Sequence, residues 1–175
     1  MLKRWLTLGA VVALLAVMTV APAAAGQKGT DRPFQADLAG LVTFEFGAPG
    51  AAPCGVYQPG WDFSVITHTE ATGNASHLGK SQASFRHCPT DVGHAAGHLT
   101  LTAANGDELL FEYTDDGTMG DSFQMHVVDG TGRFMGASGL VTLYYWLDPA
   151  IGPGGEPDFS SPWRWWAEIE GEISY

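Results

Sequence analysis

The chain contains 175 residues, of which 19 are acidic and 8 are basic, and its formal net charge at pH 7 is −11. A surface with this charge repels phosphate backbones and anionic lipid headgroups, so we expect neither nucleic-acid binding nor peripheral membrane binding. The sequence contains no G-x-S-x-G, H-E-x-x-H or phosphate-binding loop motif, and we therefore expect no cofactor and assign no catalytic residue.

The N-terminus has the features of an export signal. Lys3 and Arg4 precede an apolar stretch from Trp5 to Val20, and a run of small residues follows it, which is typical of a signal peptide and its cleavage site. The alternative is an uncleaved membrane anchor, but the apolar stretch is shorter than the roughly 20 residues that a bilayer core requires. We predict a signal peptide over residues 1–25 and a secreted or periplasmic product.

After residue 25, short runs of alternating apolar and polar residues recur between clusters of Gly, Pro, Asn and Asp, which is typical of β-strands. The pattern predicts eight strands, at 34–46, 61–72, 76–87, 98–104, 108–114, 122–128, 133–147 and 163–174. The last strand is the clearest, because Trp163, Trp165 and the alternate residues after them fall on one face. Glu168, Glu170 and Glu172 fall on the other face, where we expect a solvated stripe rather than paired catalytic carboxylates.

The connections between these strands fall into two classes of length. Asn105-Gly106 predicts a type I′ turn between strands four and five, Gly73-Asn74 predicts the turn between strands two and three, and 129–132 links strands six and seven. The links at 47–60, 88–97 and 148–162 are much longer. Connections in an up-and-down meander alternate between two ends, so we expect the long loops to share one end.

Eight strands in sequence order can close into a barrel. Closure removes exposed edges and leaves an interior just wide enough for side chains or one small ligand. A sandwich of two sheets is the alternative, and the local connections favour the barrel. We therefore predict an all-β fold with a short N-terminal segment over 26–33 and one eight-stranded antiparallel up-and-down barrel domain over 34–175.

The chain has two cysteines, Cys54 and Cys88, and both lie in the long connections. An even number of cysteines in an exported protein indicates a disulfide, which would stabilise the fold by roughly 3–4 kcal/mol. A metal–thiolate site or a nucleophilic cysteine is the alternative, but neither residue belongs to a C-x-x-C motif. We predict that Cys54 and Cys88 pair.

The segment from Gly130 to Gly139 resembles the G-x-G-x-F-x-G-x-x-G strand opening of allene oxide cyclases and, more loosely, a GGTG-x-F turn of dirigent proteins. The order of the flanking segments is similar to that of exported bacterial relatives of this barrel class. The resemblance implies a calycin-like barrel, often trimeric in allene oxide cyclases, with an apolar cavity for a fatty-acid-derived epoxide. Resemblance to dirigent proteins implies a barrel that orients phenoxy radicals. We expect four glycines of the motif to specify backbone shape: Gly130, Gly132, Gly136 and Gly139.

Four aromatic residues are candidates for a ligand site at the long-loop end. Tyr144 and Trp146 end strand seven, Trp163 and Trp165 begin strand eight, and together they would form a flat apolar platform. The alternative is that these rings only plug the barrel or pack under a loop.

Histidines near the long loops are a second candidate site. His87, His94 and His98 flank the connection between strands three and four and could in principle bind a transition metal. Gly93 and Gly97 argue against the helix that this would need, so we expect no metal site.

Strand seven is apolar on both faces. Leu140, Thr142, Tyr144 and Trp146 alternate with Val141, Leu143, Tyr145 and Leu147. We place Leu143 and Tyr145 on the outer face, as a candidate contact in a homo-oligomer.

Three functions remain open from the sequence. The first is an exported, non-catalytic barrel that binds a small apolar or aromatic ligand at the long-loop end. The second is a cyclase- or isomerase-type enzyme with an apolar substrate, and the third is a structural or partner-binding module without a small ligand.

Overall fold

The computed structural model describes residues 29–46, 65–89, 95–115 and 120–175 of the chain. Within these residues, eight strands form a closed antiparallel barrel in sequence order. The strands are β1 (Asp31–Phe46), β2 (Val65–Ala75), β3 (Gly79–Pro89), β4 (Ala95–Ala103), β5 (Glu108–Asp115), β6 (Ser122–Gly130), β7 (Ser138–Asp148) and β8 (Trp163–Ser174). The predicted all-β up-and-down barrel is confirmed, and two stacked sheets are excluded.

The barrel closes through β1, which pairs with both β2 and β8. Ala36 lies opposite Ala75 in β2 and opposite Ile169 in β8, so one residue of β1 has a strand on each side. Pairing begins at Asp31, three residues before the predicted start. Alternate residues of each strand point inward, and the resulting core contains the buried Phe34, Leu99, Phe111, Met125, Leu143 and Ile169.

The connections alternate between the two ends of the barrel, and the two longest, 47–64 and 149–162, lie at the same end. At one end, which we call the tight-turn end, residues 76–78, 104–107 and 131–137 join consecutive strands. At the other, the long-loop end, the connections are 47–64, 90–94, 116–121 and 149–162. The three connections predicted to be long do share this end, but the one between β3 and β4 spans only 90–94 and is shorter than 131–137 at the tight-turn end.

The predicted turn between β2 and β3 is wrong by three residues. Gly73 and Asn74 belong to β2, which continues to Ala75. The chain reverses at 76–78, where His77 has a φ of 67°. Sequence alone favours glycine and asparagine for a turn, but here the pairing with β1 extends the strand past them.

The turn between β4 and β5 lies where predicted but has another geometry. Gly106 has a φ of 87°, and no positive φ occurs at Asn105. A type I′ turn needs a positive φ at both central residues. The Ala103 carbonyl accepts one hydrogen bond from the N–H of Gly106 at 2.9 Å, and the Ala103 N–H donates to the backbone carbonyl of Asp107 at 2.8 Å. This pattern is typical of a three-residue loop ending in a left-handed glycine.

The four motif glycines all lie where the backbone requires them, and strand seven begins later than predicted. Gly132 and Gly136 have φ values of 57° and 76°, in the region that favours glycine. A side chain at Gly130 or Gly139 would overlap backbone atoms of neighbouring segments. The segment predicted as the start of strand seven contains a short 3₁₀ helix at Gly132–Phe134, and β7 begins at Ser138.

This 3₁₀ helix closes the tight-turn end. It directs Phe134 into the core, where the side chain is fully buried and its ring centroid lies 4.8 Å from that of Tyr175. The carboxylate of Asp129 accepts hydrogen bonds from the backbone N–H groups of Gly130 and Gly136 at 2.7 and 3.2 Å. These bonds lower the pKa of Asp129 and tie the two sides of the connection together.

Two predictions fall on residues outside the described ranges. The signal peptide at 1–25 and Cys54 both lie there, whereas Cys88 is fully buried in β3. Export and the Cys54–Cys88 pairing therefore stay predictions. In the described ranges, no helix has the length and apolar character needed to cross a membrane.

Candidate functional site

The barrel interior contains a cavity of about 300 Å³ at the long-loop end. Its wall comes from the end of β1, the start of β2, the end of β3, the starts of β6 and β8, the end of β7, and the connection between β7 and β8. Most lining residues are apolar or aromatic: Val42, Phe44, Val65, Phe85, Pro89, Phe123, Leu147, Phe159 and Trp165, with Thr67, Thr69, His87 and Tyr145 among them.

Aromatic rings pack against one another along this wall. The Phe123 ring lies 5.2 Å from Tyr145 with an angle of 6° between their planes, and 4.5 Å from Tyr113. On another side, Phe85 lies 6.2 Å from Trp165. Ring pairs at such distances hold one another in place, so the cavity has a preformed wall.

One histidine brings polar chemistry to the cavity. Nδ1 of His87 shares a hydrogen bond with the Tyr113 hydroxyl, and the two rings lie nearly parallel at 6.0 Å. Burial lowers the pKa of His87 to about 4. The imidazole is therefore neutral at pH 7, and it can take part in a hydrogen bond without placing a charge in the cavity.

The phenols nearby are also uncharged. Burial raises the pKa of Tyr113 and that of Tyr145, and the neighbouring Asp115 acts in the same direction on both. Asp115 itself is buried at the end of β5, with 9% of its surface exposed. The cavity wall is thus polar at a few points and neutral at pH 7.

The connection between β7 and β8 covers part of the cavity mouth. Phe159 places its ring 5.0 Å from Phe44 and 4.6 Å from Trp163. The carbonyl of Asp158 accepts a hydrogen bond from Nε1 of Trp163 at 2.8 Å, and its carboxylate accepts bonds from the N–H and hydroxyl of Ser160. The bonds from Ser160, together with one from the Ser161 hydroxyl, lower the pKa of the Asp158 carboxyl group. All of these bonds hold the loop in place.

Comparisons with known proteins bear on the fold. No protein-family model and no curated protein matches the sequence. Two solved structures that resemble the chain are those of the pterocarpan synthase dirigent proteins GePTS1 and PsPTS1, each with a TM-score of 0.51 and 12% identity. The matches cover 86% of this chain, and 88% and 99% of those chains. This chain has the dirigent-like barrel fold. At this identity the likeness establishes the fold, and the expected bacterial branch stays a prediction.

The dirigent-like barrel separates the four aromatic residues predicted to form a ligand platform. Trp165 lines the cavity, and Trp163 is buried beside it at the rim. Tyr144 and Trp146 are 42% and 51% exposed and lie on the outer face. The four residues therefore do not share one surface, and only the two from β8 belong to the interior.

The predicted faces of β7 are inverted, and that assignment is wrong. Leu143 is fully buried and Tyr145 lines the cavity, whereas Leu140, Tyr144 and Trp146 face outward. Because both faces of this strand are apolar, alternation alone carries no information about which one is inside. Pairing with β6 and β8 decides the orientation.

The three histidines considered as metal ligands are not brought together. His87 lies in the cavity wall, His98 is exposed on the outer face of β4, and His94 lies outside the described ranges. Across the described part of the chain, no group of three or more metal-ligating side chains is found. The stripe of Glu168, Glu170 and Glu172 is exposed on the outer face of β8 as predicted.

Several cavity residues were missed by sequence reasoning. Alternation correctly places Phe123 of β6 and Tyr113 of β5 inside the barrel, but it does not show how deep they lie. Phe159 belongs to an irregular loop, where no periodic pattern exists. The His87–Tyr113 contact joins residues on strands that are not neighbours in the barrel, and no local pattern in the sequence indicates it.

Proposed function

We propose that this dirigent-like barrel is an exported protein that binds one small apolar or aromatic molecule in the cavity at its long-loop end. The observation that carries the proposal is the preformed cavity of about 300 Å³ with its wall of aromatic and aliphatic side chains. This volume lies at the lower end of the range typical of small-molecule sites, which is about 300–1,000 Å³.

The polar groups of the wall would orient the molecule. Thr67, His87 and Tyr145 each present a group that can donate or accept a hydrogen bond. The two titratable residues among them, His87 and Tyr145, are neutral at pH 7. A buried charge without a partner is costly, so an uncharged ligand with one or two polar groups suits this wall best. The likeness to barrels named as pterocarpan synthases supports an aromatic ligand class.

Native mass spectrometry of gently purified protein tests the proposal directly, with a small molecule retained by the barrel as the expected result. In solution, the uncharged fluorophore phenylnaphthylamine should bind and show energy transfer from tryptophan. Thr67→Phe should abolish its binding by filling the cavity, whereas Thr43→Phe, on the outer face of β1, should not.

Both threonines donate a hydrogen bond to a backbone carbonyl at 3.3 Å, so the two variants form a matched pair. Equal fluorophore binding by both variants, together with no retained molecule, would refute the proposal.

A cyclase- or isomerase-type enzyme is the second candidate, because a neutral imidazole bonded to a phenol lies in the cavity wall. Such a histidine can act as a general base. The molecule retained by the barrel would be incubated with the protein in heavy water, and mass spectrometry would measure its deuterium content. Uptake of deuterium by the molecule with wild-type protein, but not with His87→Gln, would support the enzyme. No uptake with either protein would support the binding function without catalysis.

Export is proposed from the sequence of residues 1–25. N-terminal sequencing of the protein from culture medium or periplasm should begin at Gly26. A chain that keeps Met1 in the cell pellet would contradict cleavage.

A further inference from the structure

A second concave surface lies on the outside of the barrel, across β2, β1, β8 and β7. We call it the tryptophan groove. It has a volume of about 600 Å³, and its main side chains are Asp37, Ala39, Thr72, Trp146, Trp166 and Glu168. The barrel wall separates it from the interior cavity, so its function is independent of the ligand proposed above.

One row of side chains across the strands forms its aromatic part. Trp146 of β7 lies opposite Trp166 of β8, which lies opposite Ala39 of β1, and Ala39 lies opposite Thr72 of β2. The indoles are 51% and 39% exposed. Because Ala39 and Thr72 are small, the groove stays open beside the Trp166 ring.

The adjacent row is acidic. Glu168 lies directly opposite Asp37 across the β1–β8 pair, and like charges in such positions destabilise a sheet. Among the described residues, no lysine or arginine forms an ion pair with either carboxylate. Two negative charges thus lie side by side next to exposed indoles, in a chain whose net charge is already −11.

Trp166 already interacts with a cation on the other side. The Arg164 guanidinium carbon lies 5.9 Å from the ring centroid and is held by Asp148 at 2.6 Å. Arg164 and Glu168 lie two residues before and two residues after Trp166 on the outer face of β8. On the side of the indole toward Glu168 and Asp37, the negative charge therefore forms no ion pair among the described residues, and Lys80 lies two strands away from Asp37 in the same row.

We propose that the tryptophan groove binds a small organic cation with apolar substituents, such as a quaternary or methylated ammonium. Aromatic faces attract such cations through the ring quadrupole, and the two carboxylates supply the opposite charge. An anion is excluded by the same charges, and a neutral apolar molecule would leave the carboxylate pair uncompensated. A second copy joined by a two-fold axis would bring four carboxylates together.

Choline chloride is the probe, and dimethylbutanol, its uncharged isostere, is the matched control ligand. Calorimetry and indole N–H chemical shifts of the full chain should show binding of choline and none of dimethylbutanol. Trp166→Leu should weaken choline binding by about two- to fivefold, the range of an exposed cation–π contact. Glu168→Gln should weaken it too, and added salt should do the same.

Glu172→Gln is the matched control variant. It removes the same charge from the same face of β8, two outward positions beyond Glu168, and should leave the affinity for choline unchanged. Equal effects of Glu168→Gln and Glu172→Gln on choline binding would overturn the proposal. They would show that choline responds to the overall negative charge of the protein and not to this site.

Equal binding of dimethylbutanol, or no binding of choline, would overturn it as well. So would light scattering that shows an oligomer which Trp146→Glu converts to a monomer, because a second copy of the chain would then occupy the groove.

Discussion

Acidification should destabilise the barrel through His87, by an amount that follows from its pKa. The folded-state pKa is about 4 and the ordinary value is 6.5, so the folded protein binds a proton on this ring less readily than the unfolded chain. A lowered histidine pKa gives stability that is fully present above about pH 6.5 and is lost as pH falls toward 4. Between about pH 7.5 and 4.5, linkage gives a loss of about 2.5 kcal/mol in the free energy of unfolding.

Urea denaturation of the wild type, His87→Gln and His98→Gln at both pH values provides the assay. Carboxylates also titrate in this window, so the informative quantity is the difference between the pH dependences of wild type and variant. It should be about 2.5 kcal/mol for His87→Gln, and His98→Gln, at an exposed position on the outer face of β4, is the control for the loss of one imidazole.

The same pH dependence in wild type and His87→Gln would refute the reasoning. It would mean that solvent reaches the imidazole through the cavity well enough to remove the cost of protonation. The surface of His87 that stays accessible lines this cavity, so the experiment measures how dry the cavity is.

Three further predictions concern the stability of the fold. In urea denaturation, Phe134→Ala should lower the free energy of unfolding by about 3–5 kcal/mol, because it empties a fully buried position. The control Met135→Ala, at a side chain that is 77% exposed, should change this free energy by less than about 0.5 kcal/mol. Gly136→Ala should cost about 1–2 kcal/mol in the same assay, because its φ of 76° is strained for any side chain although space is free. Reduction should lower the free energy of unfolding by roughly 3–4 kcal/mol if Cys54 and Cys88 pair; thiols that react with alkylating agent in the unreduced, unfolded protein would contradict the pairing.

The strands that sequence described best have one apolar and one polar face. In β8, Trp163, Trp165 and Ala167 are buried and Glu168 and Glu170 are exposed, as alternation predicts. This works because the period of a strand is a local property and the chemical contrast between its faces is large. The location of the long connections at one end followed from the order of the strands and the lengths between them.

The interior site needed the tertiary structure. The orientation of β7 depends on pairing with strands on both sides, and its two apolar faces carry no local signal, so Tyr145 was predicted outside and Trp146 inside. His87 meets Tyr113 because both lie opposite Gly97 of β4, which places no side chain between them.

Alternation within each strand and the spacing between strands thus determined the architecture, because both are local properties of the sequence. The cavity, the neutral His87 and the outward pair of Trp146 and Trp166 were decided by cross-strand register. Register is set by contacts between residues far apart in sequence, and a shift of one position exchanges the inner and outer faces of a strand.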